Sequence, residues 1–497
     1  MKAPFQVLVL GTGSHAGKSL IATGLCRLLA DRGWKTAPFK AQNMALNSAV
    51  ADDGSEIGRA QWLQALAART RSDARMNPIL LKPVSGIGSQ WIVLGKARGV
   101  LSTREYFRRW SVSRKAAQTA WAGLASEFDA LVLEGAGSPA EVNLQKRDLA
   151  NLETARFSKA PFVLVADIER GGSFAAIQGT LELIPAWLRQ RCLGVILNKF
   201  RGDKGLLVSA GPWMKRRGTK LLGILPWQEN LILEQEDSLG KPCENALGYD
   251  EKALLVDVIS SRALANYNDI LPLEGHPGIQ IRWVQPGQKR SIADLVILPG
   301  SKNTLADLRR IKLSGEAQRL EEWCRQGTWI LGICGGFQMM GFEVRDSLGI
   351  DSGVKGGRER GLGCLALTTR MAKEKVLARR RQRAQTSIGR LDISGYEIHH
   401  GRTEVGEGVR VEVQGPAGEA LMVSGGGGRY WGTYLHGILD DSSFRNRFLA
   451  QVARDRGKRW EANGASLAQR REDSLKAWAG HMERHLDLSF LPPRRQA

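Results

Sequence analysis

A cysteine between a strand-like run and a helix is the residue best placed for covalent chemistry in this sequence. The apolar run 329–331 predicts a buried strand, and Cys334 follows it with two glycines behind. Such a strand-to-helix turn, a nucleophile elbow, lifts one side chain clear of the sheet and presents backbone N–H groups to an oxyanion. Cys334 is therefore predicted to attack an amide or ester carbonyl.

A thiol nucleophile needs a base, and His436 is the best candidate for it. The residue ends a second strand-like segment, 432–435, and is followed by a glycine. A cysteine paired with a histidine is typical of acyl transfer. His399 and His400 are the alternative bases.

Residues 11–19 read Gly-Thr-Gly-Ser-His-Ala-Gly-Lys-Ser and predict a phosphate-binding loop between a strand and a helix. Backbone N–H groups at the helix start would hold phosphate oxygens, Lys18 would supply a positive charge, and Ser19 could hold magnesium. Five residues rather than four separate Gly11 from Gly17, which resembles the variant loop of dethiobiotin-synthetase-like ATPases. We expect ATP to contact Gly11, Thr12, Gly17, Lys18 and Ser19.

Glu134 follows the apolar run 130–133 and is followed by glycines. A carboxylate at the tip of a buried strand, downstream of a phosphate loop, can meet the Mg²⁺ of a bound nucleotide. The alternative is a surface acid at a turn. Asp52 or Glu56 could supply a second carboxylate for the metal.

Two further residues are candidates for nucleotide contacts. Lys40 could add charge near the γ-phosphate, and a solvated lysine is the alternative. Asn198, followed by Lys199 after a strand, occupies a position typical of base recognition in such ATPases.

Strand-like runs alternate with helical stretches along the chain, which indicates parallel sheets flanked by helices. The composition changes near residues 235–249, so the expected organisation is an ATPase domain at 1–235, a linker at 236–250, a second α/β domain with Cys334 and His436 at 251–445, and a helical extension and tail at 446–497, disordered from Pro492. With 497 residues, more than one domain is expected.

The bulk composition narrows the class of protein that the sequence can encode. Hydrophobic residues make up 43% of the chain, no apolar run approaches the length of a membrane span, and the six cysteines form no C-x-x-C pair. We expect a cytoplasmic protein that has no membrane-spanning segment and no disulfide framework. The oligomeric state stays open, with a homo-oligomer among the alternatives.

The net charge of +21 invites a nucleic-acid interpretation. The basic residues are spread, however, and the densest run, 379–383, has no aromatic partners and predicts a solvated surface insertion. A polyanionic small molecule is a better partner for the generally positive electrostatic field of this chain, so no nucleic-acid partner is expected.

Several segments resemble one family closely, in order and from about residue 5 to 445. They read Phe-Lys-Ala-Gln-Asn-Met-Ala-Leu-Asn-Ser at 39–48, Glu-Ile-Gly-Arg-Ala-Gln at 56–61, Met-Asn-Pro at 76–78, Glu-Gly-Ala-Gly-Ser-Pro-Ala-Glu at 134–141, Asp-Ile-Glu-Arg-Gly-Gly at 167–172, Leu-Pro-Gly-Ser-Lys-Asn-Thr at 298–304 and Gly-Tyr-Glu-Ile-His at 395–399. The family is that of the cobyric acid synthases.

This resemblance implies a dethiobiotin-synthetase-like P-loop ATPase domain joined to a class I glutamine amidotransferase domain. It also implies ATP with Mg²⁺, glutamine as nitrogen donor, and a corrinoid polycarboxylate, adenosylcobyrinic acid a,c-diamide, amidated at four peripheral carboxylates. Asp148 lies where that acceptor could sit, and a surface acid is the alternative. The rivals are a cobyrinic acid a,c-diamide synthase and, from another class, a partitioning-type ATPase that binds DNA or membrane.

The sequence departs from the usual triad pattern after His436. Ordinary triad amidotransferases carry a glutamate two residues after the histidine, and Ile438 stands there instead. This branch of the superfamily lacks that glutamate, so another group must orient His436, and Glu397 is the candidate.

Overall fold

A computed structural model describes residues 3–84, 88–229, 231–233, 252–260, 264–462 and 466–495. The predicted linker, 236–250, lies outside the described residues. Two α/β units, each built on a largely parallel sheet, occupy the two halves of the chain.

The first unit is centred on a six-stranded parallel sheet with the order β12-β11-β10-β1-β9-β2. Its central strands are almost wholly buried because helices cover both faces. The strands of this unit are β1 (Phe5–Gly11), β2 (Thr36–Phe39), β3 (Gln42–Met44), β4 (Ser48–Val50), β5 (Glu56–Gly58), β6 (Ile79–Val84), β7 (Gly88–Val93), β8 (Lys96–Leu101), β9 (Ala130–Glu134), β10 (Phe162–Asp167), β11 (Cys192–Phe200) and β12 (Leu221–Pro226).

The helices of the first unit follow the strands and return the chain across the sheet. They are α1 (Lys18–Asp31), α2 (Arg59–Ala67), α3 (Thr103–Arg108), α4 (Trp110–Glu127), α5 (Thr154–Ser158), α6 (Ser173–Leu183), α7 (Ala186–Arg189) and α8 (Ala210–Lys215).

The second unit has a seven-stranded sheet with the order β15-β13-β16-β18-β25-β24-β23, in which β24 runs antiparallel to both of its neighbours. Its strands are β13 (Leu254–Ile259), β14 (Leu264–Ala265), β15 (Ile279–Val284), β16 (Leu295–Leu298), β17 (Gly300–Ser301), β18 (Trp329–Ile333), β19 (Glu343–Asp346), β20 (Gly357–Arg360), β21 (Leu367–Thr386), β22 (Gly389–Val405), β23 (Arg410–Gln414), β24 (Ala420–Gly425) and β25 (Tyr430–Thr433). The helices of this unit are α9 (Thr304–Leu313), α10 (Glu316–Arg325), α11 (Gly335–Met339) and α12 (Ser442–Asp455), and a further helix, α13 (Leu467–His485), follows them in the chain.

The predicted α/β class is confirmed, and the parallel strands expected from the apolar runs are present in both halves. Among the described residues, none of the helices is both long and apolar enough to pass through a bilayer.

The arginine run 379–383 forms a strand rather than the exposed loop typical of such runs, and Arg379, Arg381 and Arg383 are exposed, as predicted. It lies within β21, which pairs with β22 in a long antiparallel hairpin. Arg380 is only 19% exposed and binds Glu397, while Arg379 crosses to the first unit and pairs with Asp52. The hairpin therefore forms part of the contact between the two units.

The last two helices pack on different units. The apolar face of α12 joins the core of the second unit through Phe444 and Phe448. The apolar face of α13 instead packs against the first unit, where the indole N–H of Trp478 donates to the backbone oxygen of Leu20 at 2.8 Å.

The disorder predicted from Pro492 is wrong as far as Arg495. The backbone oxygen of Pro492 accepts a hydrogen bond from Arg32, and the guanidinium of Arg495 stacks on Trp34. These contacts hold residues 492–495 against the first unit, because segments near a terminus are ordered where hydrogen bonds and packing tie them down.

Candidate functional site

Cys334 occupies the sharp turn expected of a nucleophile elbow. It lies between β18 and α11 with φ 53° and ψ −105°, a conformation that side-chain-bearing residues seldom adopt. A Cβ on Gly336 would lie 1.9 Å from the oxygen of Leu298, and one on Gly335 would lie 2.7 Å from the nitrogen of Ser301. Only glycine fits at these two positions, because the backbone of residues 298–301 passes directly against the turn that carries Cys334.

His436 lies next to Cys334, as predicted, and the structure supplies the acid that the sequence did not reveal. Asp269, in a 3-10 turn at Tyr267–Asp269, accepts from His436 Nδ1 at 2.7 Å and from the backbone N–H of Gly437 at 2.8 Å. The side-chain nitrogen of Asn266 lies 3.3 Å from each ring nitrogen. Because Asp269 fixes Nδ1, Nε2 is the nitrogen that remains for the thiol.

The charges around His436 favour its protonated form. Burial alone would lower its pKa, but the Asp269 carboxylate and Cys334, which also hydrogen-bonds to the ring, raise the pKa to about 10. A thiolate beside an imidazolium is the reactive pair of cysteine-dependent acyl transfer. The arrangement can thus form a thioester and deliver a proton to a leaving amine.

The alternative bases face other partners. His399 Nε2 binds Glu397 at 3.0 Å and its Nδ1 binds the oxygen of Gly401 at 3.0 Å, while the ring stacks on Tyr434. Burial, together with Lys375 and Lys302, lowers the pKa of His400 to about 3. The suggestion that Glu397 orients His436 is wrong, because both oxygens of Glu397 bind His399 and Arg380 instead.

The phosphate loop joins β1 to α1 as predicted. Gly17 precedes the helix with φ 98°, and Gly11 ends the strand. The N–H of Thr12 donates to Val165 in the neighbouring strand at 3.0 Å. Lys18 Nζ donates to the oxygens of Gly13 and Gly137, at 2.8 and 2.9 Å, so the lysine spans the mouth of the loop.

Glu134 is completely buried beneath this loop. One of its oxygens accepts from Ser19 Oγ at 2.7 Å and pairs with Lys40 Nζ at 2.9 Å, and the other accepts from Gln64 at 2.6 Å. The surface-acid and solvated-lysine alternatives for Glu134 and Lys40 are therefore wrong. Ser19 and Glu134 present adjoining hard oxygen atoms, a donor set that suits Mg²⁺.

The other two carboxylates proposed for the metal lie elsewhere. Asp52 binds Ser72 and pairs with Arg379 at the interface. Glu56 pairs with Lys82 and Lys375. Burial alone would raise the pKa of Glu56, but these lysines hold it well below its usual range. Because cations already meet the charge of both acids, the prediction that Asp52 or Glu56 binds the metal is wrong, and both are interface residues. In the described part of the chain no group of three or more metal-binding side chains occurs.

Asn198 lies under the phosphate loop. Its Nδ2 donates to the oxygen of Ala16 at 2.9 Å, and a Cβ on Gly17 would lie 2.1 Å from this nitrogen. The amide group therefore supports the loop, and the role of Asn198 in reading a base stays a prediction.

A cavity of about 590 Å³ opens beside the phosphate loop. Its wall combines the charged groups of Lys18, Lys40 and Arg147 with the aromatic rings of Tyr106 and Phe107. Asp148 also lines it and caps a helical turn by accepting from the N–H of Asn151 at 2.9 Å. Burial raises the pKa of Asp148 to about 6, although hydrogen bonds from Asn151 oppose this rise.

A nucleotide-binding loop in one unit and a Cys-His-Asp arrangement in the other define a glutamine-dependent amidotransferase of the ligase type. Family models agree with each half: residues 7–239 match the CobQ/CobB/MinD/ParA nucleotide binding domain, and residues 255–444 match the CobB/CobQ-like glutamine amidotransferase domain.

Relatives align over almost the whole chain. A cobyric acid synthase of a Nostoc species is 39% identical over 98% of this chain and 99% of its own length, and that of Synechococcus elongatus is 41% identical over 98% and 99%. The Geobacillus kaustophilus cobyric acid synthase is 39% identical over 98% and 96%. The chain belongs to the cobyric acid synthase family, amidotransferases of cobalamin biosynthesis.

Proposed function

We propose that the protein uses ATP and glutamine to amidate the b, d, e and g carboxylates of adenosylcobyrinic acid a,c-diamide, giving adenosylcobyric acid. The observation that carries this proposal is the presence of two complementary sites in one chain. Cys334, His436 and Asp269 can release ammonia from an amide, and the loop around Lys18 can hold a nucleotide beside a large cavity. ATP is required because a carboxylate is a poor electrophile.

In the glutamine half, Cys334 Sγ attacks the side-chain amide carbon. The N–H groups of Gly335 and Ser301 are the proposed oxyanion donors, since Gly335 follows Cys334 in the chain and the backbone at Ser301 passes close to Gly335. His436 gives its proton to the departing nitrogen, so ammonia leaves and a thioester remains. Water then hydrolyses the thioester, releasing glutamate and restoring the thiol.

In the synthetase half, the γ-phosphoryl group of ATP passes to a substrate carboxylate, releasing ADP and forming an acyl phosphate. Ammonia attacks the acyl carbon and phosphate departs, leaving the amide. Lys18 and Lys40 are the residues proposed to meet the negative charge of the phosphoryl group, and their positions at the phosphate loop and on Glu134 support this role. Ser19 and Glu134 would hold Mg²⁺, which supplies further charge neutralisation when bound.

The cavity suits a large, partly apolar polyanion. The rings of Tyr106 and Phe107 offer apolar contact area, while Arg147 and the two lysines offer charge. A corrinoid combines an extended ring with peripheral carboxylates, so it uses both kinds of wall. Asp148 is proposed to contact this acceptor, and its raised pKa would limit repulsion of a carboxylate below about pH 6.

The test is amide formation from purified protein, the diamide acceptor, ATP and glutamine, with products separated by chromatography. We expect products carrying one to four new amides, and ADP formed with each. Cys334→Ala is expected to lose glutamine-dependent synthesis but keep synthesis with high ammonium. A folded variant that binds ATP yet is inactive with ammonium would contradict the division of labour between the sites.

A further inference from the structure

One short stretch of the first unit, residues 40–48, contacts both candidate sites. At its start, Lys40 Nζ pairs with Glu134 beneath the phosphate loop at 2.9 Å. At its end, Asn47 Oδ1 accepts from the backbone N–H of Asn266 at 2.9 Å. The side chain of Asn266 in turn lies against His436. A chain of direct contacts therefore joins the phosphate site to the base of the glutamine site.

The stretch is held firmly between these ends. Strand β3 lies within it and pairs in parallel with β6. Asn43 is 1% exposed and donates to Gln61 Oε1 at 2.9 Å. Asn47 is also 1% exposed, and its backbone oxygen accepts from the N–H of Arg59, at the start of α2. Because Asn43 and Asn47 are buried and hydrogen-bonded, they leave the backbone between the two sites little room to absorb a shift at one end.

The far end of the stretch is also clamped to the second unit by charge. Ser48 Oγ donates to Glu56 at 2.9 Å and accepts from Lys82 at 2.5 Å. Lys375 of the second unit reaches the same carboxylate at 2.6 Å. The contact between Asn47 and Asn266 is therefore held in a fixed place in the interface.

Ligands of the first unit would act on the near end of the stretch. Phosphate groups offer Lys40 a second anion in addition to Glu134. The cavity is lined by Gln42 and Met44 of the same stretch, so an acceptor molecule contacts it directly. Glutamine hydrolysis without an acceptor only wastes glutamine, and a link of this kind can prevent that loss.

We propose that Asn47 and Asn266 are positioning residues that couple glutamine hydrolysis at Cys334 to filling of the nucleotide and acceptor cavity. Asn47 sets the backbone of Asn266, and Asn266 sets the imidazole of His436. The inference rests on the proposed function and adds to it a route of control between the two sites. Coupling between two sites typically changes a binding equilibrium by about 5- to 150-fold, which sets the scale of the effect expected here.

The test measures glutaminase kcat and KM without and with ATP plus the diamide acceptor, alongside ammonium-dependent synthesis. The wild-type protein is expected to show about tenfold stimulation of kcat. Asn47→Ala and Asn266→Ala are expected to reduce that stimulation to near onefold, with ammonium-dependent synthesis retained as proof of folding. Asn47→Asp keeps an acceptor oxygen for the Asn266 N–H and is expected to retain stimulation.

Arg379→Gln is the matched control for a loosened interface. It removes the ion pair with Asp52, which lies at the same interface but touches neither site. Retained stimulation in this variant supports a specific route. Unchanged stimulation in both alanine variants, or an equal loss in Arg379→Gln, overturns the proposal. Absence of amide products from the wild type with any nitrogen source would overturn the proposed function instead.

Discussion

Asp269 is the residue on which the chemistry of His436 depends most. Its carboxylate stabilises the imidazolium, so Asp269→Asn should lower the pKa of His436 from about 10. The alkaline limb of glutaminase kcat/KM should then move to lower pH, because the proton donor for the leaving ammonia is lost earlier. We also expect kcat to fall by at least about a hundredfold, as when other catalytic triads lose their acid.

Glu397→Gln is the control for this measurement. Glu397 is a buried acid on a histidine of the same unit, but its partner is His399. Its removal should leave the alkaline limb in place. If the alkaline limb of the pH profile moved equally in both variants, Asp269 would act only through its overall negative charge and not through its contact with His436.

Lys18 and Glu134 belong to the other half-reaction. Lys18→Ala or Glu134→Gln should reduce synthesis at least about a hundredfold with either glutamine or ammonium, because charge is removed where phosphoryl transfer develops it. Basal glutaminase should survive in both variants. Near-normal ammonium-dependent turnover would show that the phosphate loop has another task.

Residue-scale prediction from the sequence succeeds where the signal is local. Cys334 and Lys18 lie in short motifs whose glycines and preceding apolar runs predict the turn. Asp269 is 167 positions from His436, and no spacing rule joins them. A weaker signal exists, since the polar run 266–269 follows the buried strand β13, and residues at the carboxyl ends of parallel strands often line a site.

At the scale of elements, the apolar runs predict the buried strands well and the hairpin β21–β22 poorly. The outer part of β22 packs Leu391 and Ile393 into the core of the second unit. The outer part of β21 instead carries exposed and half-buried, largely basic side chains, so no apolar alternation marks this strand. Its cross-strand neighbours are charged instead, as with Arg383 opposite Asp392 at 2.8 Å. A run of like charge therefore favoured a loop interpretation where the chain forms a strand.

Helix α13 supplies a prediction about stability. Trp478 is 2% exposed and packs on α1 beside Gly24, whose missing side chain lets the two helices approach. Trp478→Ala should destabilise the first unit by about 3–5 kcal/mol, since it leaves a cavity and removes the hydrogen bond to Leu20. Thermal unfolding checks this, and Leu313→Ala, at an 89% exposed position, should leave the melting temperature nearly unchanged. An equal shift in both variants would contradict the packing.

The charge of the whole molecule gives a further prediction. At +21, the protein should attract a polyanionic acceptor over roughly the 8 Å Debye length at physiological salt. The acceptor KM should therefore rise with salt, and binding should weaken as each amidation removes a negative charge. Partly amidated products should then accumulate in solution during a time course.

Glutamine is the built-in control for this experiment, because its α-amino and α-carboxylate charges cancel. Its KM should change little over the same range of salt. A salt-independent acceptor KM, with a direct passage to the fully amidated product, would mean that contacts with the corrin body hold the acceptor through all steps.

The packing of α13 on α1 also bears on how the protein is made. Leu475, Trp478 and Met482 complete the same apolar core as Leu25 and Leu29, yet they are synthesised some 450 residues later. A ribosome thus releases the whole second unit before it releases the helix that finishes the first. While translation continues, the exposed face of α1 is a hydrophobic surface without its partner, the kind of surface that chaperones recognise. The second unit, whose core includes α12, can close first, so the part of the chain made earliest is the last to complete its fold.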